Sequence, residues 1–347
     1  MTQRDLNKEG KPLSAADWGG MFLNRQSPYV IAEIGSNWST LGEAIGSIGI
    51  AAGCGVDAVK FQLFSHKDLY GFDGPGGGIE PDWLPQLKEK ADACKVDFLC
   101  SAFSVEGVEL VDKYVPVHKI AASEAAWPQL IDAVRNTGKP AIVTAGSLSV
   151  NEIMAVVAQF CWGERDVSDL CLLYGEPNYP SLNHNLFLLD ELKQFKTPIG
   201  LSDHSSDNLY TALSAYHHFG AAVIEKHVQL VDGNFPDSCV SIDKEGLSTL
   251  VRGLRAKDPR RFIASGRKEY REQYRRRLIA TKDIAEGEGF KYGENYGAFR
   301  SNVEDTTALP PYVYRDVDRA CAKAGIKAGE AIGPKQVKWN NGASKWP

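Results

Sequence analysis

The segment GLSDHS (Gly200–Ser205) and, one helical stretch later, AAVIEKHVQL (Ala221–Leu230) each carry a short apolar run up to a histidine, His204 and His227. Runs that are apolar nearly throughout, without alternation, are expected of parallel strands buried on both faces. Working outward, the same kind of run recurs as YVIAEI, DAVKFQL, DFLCSAF, VHKIAAS, PAIVTAG, DLCLLYG, TPIGLSD and AAVIEKH. Helical stretches lie between them, such as PDWLPQLKEKADACK, SVEGVELVDKY and NHNLFLLDELKQF. Another, SLSVNEIMAVVAQF, offers Ser147 or Ser149 as its N-cap. DKEGLSTLVRGLRA fits a closing helix after the last run. Strand–helix units of this number, over about 230 residues, predict a (β/α)8 TIM barrel. A doubly wound open sheet is the alternative, but no GxGxxG follows the first strand.

The composition is that of an ordinary globular chain: 347 residues, 43% hydrophobic, 24% charged, net charge −5. A mildly acidic chain gives no electrostatic reason to expect nucleic acid or an anionic membrane as partner. The start lacks the apolar stretch of a signal peptide, and no run approaches the roughly 20 apolar residues of a membrane span. The seven cysteines are scattered and never form CxxC, which fits reduced core residues of a cytoplasmic protein. Four segments are expected: an extension over 1–28, the barrel over 29–256, a basic linker over 257–276, and a small β-rich domain over 277–347. The linker's Arg/Lys run reads as a solvated face. In the tail, IAEGEGF (Ile284–Phe290) recurs loosely as IKAGEAI (Ile326–Ile332), predicting a turn-rich module with internal pseudo-symmetry.

A barrel of this kind works at the C-terminal ends of its strands. Polar residues cluster there: Glu33; Lys60 and Gln62; Ser101; Lys119, Ser123 and Glu124; Thr144; Tyr179; Ser202, Asp203 and His204; Glu225, Lys226 and His227. Two histidines at adjacent strand ends, with carboxylates near, point to a divalent metal such as Mn2+, Fe2+ or Zn2+. The lack of cysteine ligands and the open coordination positions favour a catalytic ion. Lys60 and Lys119 each sit inside an apolar run, where an ammonium calls for an anion, so an anionic substrate group is expected. Glu33 and Glu124 are candidates either for general acid or base groups or for orienting a ligand's hydroxyls. On residues alone, lyase, aldol-type condensation and hydrolysis all remain open.

VIAEIGSN, VKFQ, HKIAASE, YGEPNYP, GLSDHS, IEKH and PDSCVS occur in the order and spacing of the sialic acid synthase family, which the chain resembles over roughly residues 28 to 250. The tail resembles the SAF (antifreeze-like) domain that these synthases carry. The resemblance implies condensation of phosphoenolpyruvate with an aldose, an N-acetylated hexosamine or a related sugar, to give a 2-keto-3-deoxy sugar acid and phosphate. It also implies that His204 and His227 hold the ion, typically Mn2+, with Mg2+, Co2+, Fe2+ and Zn2+ as alternatives. Lys60, Lys119, Ser123, Thr144 and Ser202 would surround phosphoenolpyruvate, and Glu33, Gln62, Tyr179 and Asp237 would line the sugar. Glu124, Glu33 and Lys119 would act in catalysis. Arg300, in GAFRSN, would reach into the partner subunit's barrel mouth, which implies a homodimer with swapped SAF domains.

Several positions depart from the family pattern. NWST places Trp38 where a histidine is common, and KIAASE places Ala122 where a serine helps hold phosphoenolpyruvate. Pro177 stands where an asparagine is expected and has no backbone donor. TAGS replaces STGM, FRSN replaces KRPG, and the segment after the second run is Gly-rich.

Overall fold

The computed structural model describes residues 27–163, 165–181, 185–206, 209–256, 276–300 and 308–339. Nearly all of the expected extension (1–28) and basic linker (257–276) lies outside them. The chain forms two compact units, Met1–Lys257 and Asp258–Pro347. No described helix is long and apolar enough to cross a membrane.

Each of the eight apolar runs becomes a strand: β1 (Tyr29–Gly35), β2 (Ala58–Leu63), β3 (Asp97–Ala102), β4 (His118–Ile120), β5 (Ala141–Thr144), β6 (Leu170–Tyr174), β7 (Ile199–Asp203) and β8 (Val223–His227). All neighbours pair in parallel, and β1 pairs with β8 to close the barrel. The helices between them are α1 (Leu41–Gly53), α2 (His66–Tyr70), α3 (Leu84–Ala93), α4 (Val105–Asp112), α5 (Pro128–Asn136), α6 (Val150–Phe160), α7 (Leu188–Leu192) and α8 (Tyr210–Phe219), and α9 (Lys244–Leu254) follows β8. Their starts follow local chemistry. Thr40 caps α1 in a reciprocal capping box with Glu43, and Ser149, not Ser147, caps α6 with Glu152. Ser147 instead donates its hydroxyl to the carbonyl of Ala122.

Strand side chains alternate with period two, so every second residue enters the barrel. The inner positions form two layers. The floor is apolar, with Tyr29, Ile31, Ala58, Leu99, Val117, Ile142, Cys171, Leu173 and Val223 in one buried cluster. Two residues further along the same strands the layer turns polar. Gly200 belongs to the barrel wall for a steric reason: a Cβ there would lie 2.5 Å from both the Leu173 side chain and the Val223 carbonyl.

In the second unit, β9 (Arg276–Ala280) pairs antiparallel with β10 (Tyr296–Arg300), and β11 (Cys321–Ala322) with β12 (Val337–Lys338). The short α10 (Tyr314–Val317) packs Val317 into the same core. The sequence repeat is a structural one. Ile284 and Ile326, the first residue of each copy, exchange both backbone hydrogen bonds at 2.9 Å, as residues facing each other across a local two-fold do. Gly287 and Gly329 both take φ near +80° to +90°, a left-handed turn that favours glycine. Glu288 and Glu330 each accept a backbone N–H three residues earlier. Phe290 and Ile332 close the copies in one core with Ile284 and Ile326.

Candidate active site

The polar layer of the barrel opens into a cavity of about 380 Å3 at the C-terminal ends of the strands. Most of the residues expected there from sequence meet in it. Lys60 and Gln62 come from β2, Lys119 and Ser123 from β4 and its loop, Thr144 from β5, and Tyr179 from the loop after β6. Ser202 and His204 come from β7 and its end, His227 from β8, and Asp237 from the loop beyond. Glu33 does not line the cavity but lies fully buried against Lys60. Glu124 is also outside the lining, half-buried, and accepts a 2.6 Å hydrogen bond from Ser123 Oγ. Arg300 ends β10, and its side chain lies outside the described residues.

Two buried ammonium groups and two buried carboxylates form the base of the site. Lys60 Nζ lies 2.5 Å from Glu33 Oε2, 3.6 Å from Glu225 Oε2, and donates to Ser101 Oγ at 3.1 Å. Lys119 Nζ donates to Thr144 Oγ1 at 2.9 Å and lies 3.7 Å from Glu225 Oε1. Glu225 also accepts from Ser202 Oγ at 2.8 Å. Carboxylates of the chain itself therefore meet the lysines, and burial of the ammoniums does not by itself demand a substrate anion. The two are not equally compensated. Burial tends to lower the Lys60 pKa, but Glu225 and Glu33 outweigh it and raise the value. Burial lowers Lys119 to about 8, against the pull of Glu225 and with the push of Lys60. Lys119 is thus the ammonium with most to gain from an arriving anion. Burial raises Glu33 to about 7, opposed by Lys60 and reinforced by Glu225. For Glu225 burial acts upward, yet Lys119 and Lys60 together hold it low.

Glu225, placed at the barrel mouth by the sequence but given no role there, is the central residue, meeting both lysines and Ser202. The signal was present, because Glu225 and His227 share the inward-facing parity of β8. Their neighbours of opposite parity, Asp203 and Lys226, form a separate buried pair at 3.3 Å.

Above this base the two imidazoles converge. Tyr179 Oη lies 3.1 Å from His204 Nε2 and 3.3 Å from His227 Nε2. His204 Nδ1 donates to the Glu176 carbonyl at 2.6 Å, so its Nε2 carries the lone pair. His227 Nδ1 faces Asp237 Oδ2 at 3.5 Å, which favours the same tautomer. Burial lowers the pKa of both imidazoles, and for His227 the neighbouring His204 adds to the effect. Two neutral acceptor nitrogens thus share one hydroxyl that has a single proton to give. That donor set is suited to a cation. Among the described residues no group of three or more His, Cys, Asp or Glu is placed to hold a metal ion, so any ion here would have protein nitrogen from this pair alone.

Glycines let the surrounding loops close in. Gly35, at φ +55°, leaves room for Asp237, whose Oδ2 would lie 2.7 Å from a Cβ there. A Cβ on Gly146 would come within 1.7 Å of the Gly175 carbonyl, so the loops after β5 and β6 meet backbone to backbone. The substituted positions are Ala122 and Pro177, both in the lining, and Trp38, which is not. Trp38 donates to the Gly35 carbonyl and packs edge-on against Trp83.

Comparison with known proteins agrees with this architecture. The chain is 28% identical over 345 residues to the pseudaminic acid synthase of Campylobacter jejuni, covering 90% of this chain and 97% of that one. It is 28% identical over 298 residues to the N,N'-diacetyllegionaminic acid synthase of the same species, covering 76% and 88%. Among solved structures, the N-acetylneuraminic acid (sialic acid) synthetase of Leptospira borgpetersenii superposes with a TM-score of 0.59 at 25% identity, covering 71% and 92%. A spore coat polysaccharide biosynthesis protein of Bacillus subtilis shares the fold at TM-score 0.62 and 22% identity, covering 91% and 97%. Residues 78–260, more than half of the sequence, match the NeuB family, and the chain belongs to that sialic acid synthase-like family of sugar acid-forming enzymes.

Proposed function

We propose that the barrel mouth condenses phosphoenolpyruvate with an aldose, an N-acetylated hexosamine or a relative, giving a 2-keto-3-deoxy sugar acid and phosphate. The observation that carries this reading is the convergence of His204 Nε2 and His227 Nε2 on one hydroxyl, above the buried Lys60 and Lys119. The histidines would hold a divalent ion, most simply Mn2+, with Mg2+, Co2+, Fe2+ or Zn2+ as substitutes. Such an ion, when bound, supplies Lewis-acid polarisation of the acceptor carbonyl.

The rest of the work falls to the chain. Lys119, with Lys60, Ser123, Thr144 and Ser202, binds the phosphate and carboxylate of the donor and sets its C3 toward the acceptor carbon. Holding the two reactants in that geometry converts a bimolecular encounter into a local one. Water then adds at C2, and phosphate leaves by C–O cleavage. Burial raises the pKa of Glu124, which suits it to position that water or take its proton. Glu33, raised by burial to about 7, pairs with Lys60 behind the cavity wall, and Gln62 and Asp237 orient acceptor hydroxyls. Arg300 would complete the site from a partner subunit in a homodimer.

A second reading keeps the histidine pair but changes the anionic donor. Ala122 and Pro177 favour it, because neither offers a hydrogen-bond donor from its side chain to the cavity. Phosphate release from phosphoenolpyruvate with Mn2+, across N-acylated hexosamines, neutral aldoses and phosphorylated aldoses, separates the two. Acceptor-dependent release supports the synthase. Silence across the panel, with metal bound, would reject phosphoenolpyruvate as donor.

A further inference from the structure

The residue before each histidine is a buried charge that the condensation does not use. Asp203 precedes His204 and Lys226 precedes His227, and their side chains are 0% and 1% exposed. They stand opposite each other in the register of β7 and β8, and strand alternation points both away from the cavity. Lys226 Nζ lies 3.3 Å from Asp203 Oδ2. The preceding pair of the same parity, Leu201 and Ile224, is apolar and buried.

A buried ion pair is a weak source of stability. Desolvation offsets most of its Coulombic gain, and an apolar pair of similar volume often serves the fold as well. The bonds made by this pair show what else it does. Ser205 N donates to Asp203 Oδ1 at 2.8 Å, and Lys226 Nζ donates to the Ser205 carbonyl at 2.5 Å. Between them, the His204 carbonyl accepts from Ser181 N at 2.9 Å. The backbone that carries His204 is thus held on both sides and at its own carbonyl. Asp203 and Lys226 are also the last registered pair of the β7–β8 ladder. Where the ladder stops, the ion pair ties the strand under one imidazole to the strand under the other.

Two ligands of one ion must keep a set separation and aim, and groups behind the ligands supply that constraint without touching the ion. The ring centroids of His204 and His227 lie 5.4 Å apart. We propose that Asp203 and Lys226 are positioning residues for the ion site, a crossbar behind the barrel wall that fixes the two imidazoles relative to each other. This assignment rests on the reading that the histidines hold a divalent ion.

The test measures Mn2+ binding to the full chain by titration calorimetry, beside the thermal midpoint of the metal-free protein. Asp203→Asn combined with Lys226→Met removes both charges at nearly constant volume and keeps an acceptor for Ser205 N. The double variant should bind Mn2+ about 10- to 100-fold more weakly, the range for groups that orient metal ligands, while the metal-free midpoint stays or rises. The Mn2+ concentration for half-maximal phosphate release should rise by the same factor, with the KM for phosphoenolpyruvate at saturating Mn2+ unchanged. Unchanged Mn2+ affinity in the folded double variant overturns the inference and leaves the histidine site standing. Weaker binding that comes only with a lowered metal-free midpoint assigns the pair to the fold and overturns its positioning role. If the double variant gives no cooperative melt, Asp203→Asn alone decides, since it replaces a single oxygen. Weakening of about threefold or more then supports the crossbar, and unchanged affinity overturns it. No Mn2+ bound by the unmodified chain, or binding undiminished in His204→Ala, removes the histidine reading and this inference with it.

Discussion

The floor and the mouth of the barrel are built from the same strands, two residues apart, yet they follow opposite rules. Ile31 belongs to the apolar floor, and Glu33 beside it in parity belongs to the ion-paired mouth. Val223 and Glu225 stand in the same relation on β8. The floor stabilises the fold by removing apolar surface from water. The mouth keeps Lys60, Lys119, Glu33 and Glu225 buried, an arrangement in which desolvation offsets most of the Coulombic gain. The stability surplus of the lower layer carries the cost of the upper one, and substitutions in each should fail in different ways.

The strongest contrast is expected at the histidines. His204→Ala or His227→Ala should lower turnover by about 10³-fold or more, near 4 kcal/mol of transition-state stabilisation, with tight metal binding lost and the melting curve kept. Full metal stoichiometry in both variants would break the comparison. The converse experiment is Ile31→Ala, which should cost about 2–5 kcal/mol of stability while the folded fraction keeps its kcat. Denaturant titration beside active-site counting reads both quantities.

A smaller effect is expected at Asp237. Removing its charge with Asp237→Asn loosens the orientation of His227 and should weaken metal binding by about 10- to 100-fold. Metal titration by calorimetry would show it.

Smallest are the effects of pH. Lys119 carries its proton below about 8 and loses it above, so the KM for phosphoenolpyruvate should rise as pH increases through that value. Glu33, raised from 4.5 to about 7, binds more proton in the folded state than in the unfolded one within that window. Its contribution is therefore fully present below the lower value and lost as pH rises toward the upper one, so stability should fall from about pH 4.5 to 7. Glu33→Gln should flatten that slope, and an unchanged slope would place the titration elsewhere.

Much of the floor was legible in the sequence because unbroken apolar runs have few other uses. Each of the eight runs became a strand, although VHKIAAS kept only His118–Ile120 as β4 before the chain turned into the mouth loop. Among the described residues of NHNLFLLDELKQF, the helix spans Leu188–Leu192 and a short 3-10 turn follows. The mouth was legible by residue type and less so by partner. Lys60 and Lys119 stood out as misplaced charges, but their pairing with Glu33 and Glu225 depends on strand register, in which Glu33 faces Lys60 across β1 and β2. The convergence of the imidazoles on Tyr179 depends on the path of the loop after β6, which no spacing encodes. The C-terminal repeat was legible because a left-handed glycine and a turn-capping glutamate recur together in each copy.

The most direct test of the central reading is to run the reaction in oxygen-18 water, with phosphoenolpyruvate, Mn2+ and an accepted aldose, and to weigh the phosphate. The account predicts acceptor-dependent phosphate free of the heavy isotope, with the label entering at C2 of the sugar acid, because water adds to carbon and the C–O bond breaks. Labelled phosphate, or release indifferent to the acceptor, would mean simple hydrolysis at phosphorus and would contradict the condensation.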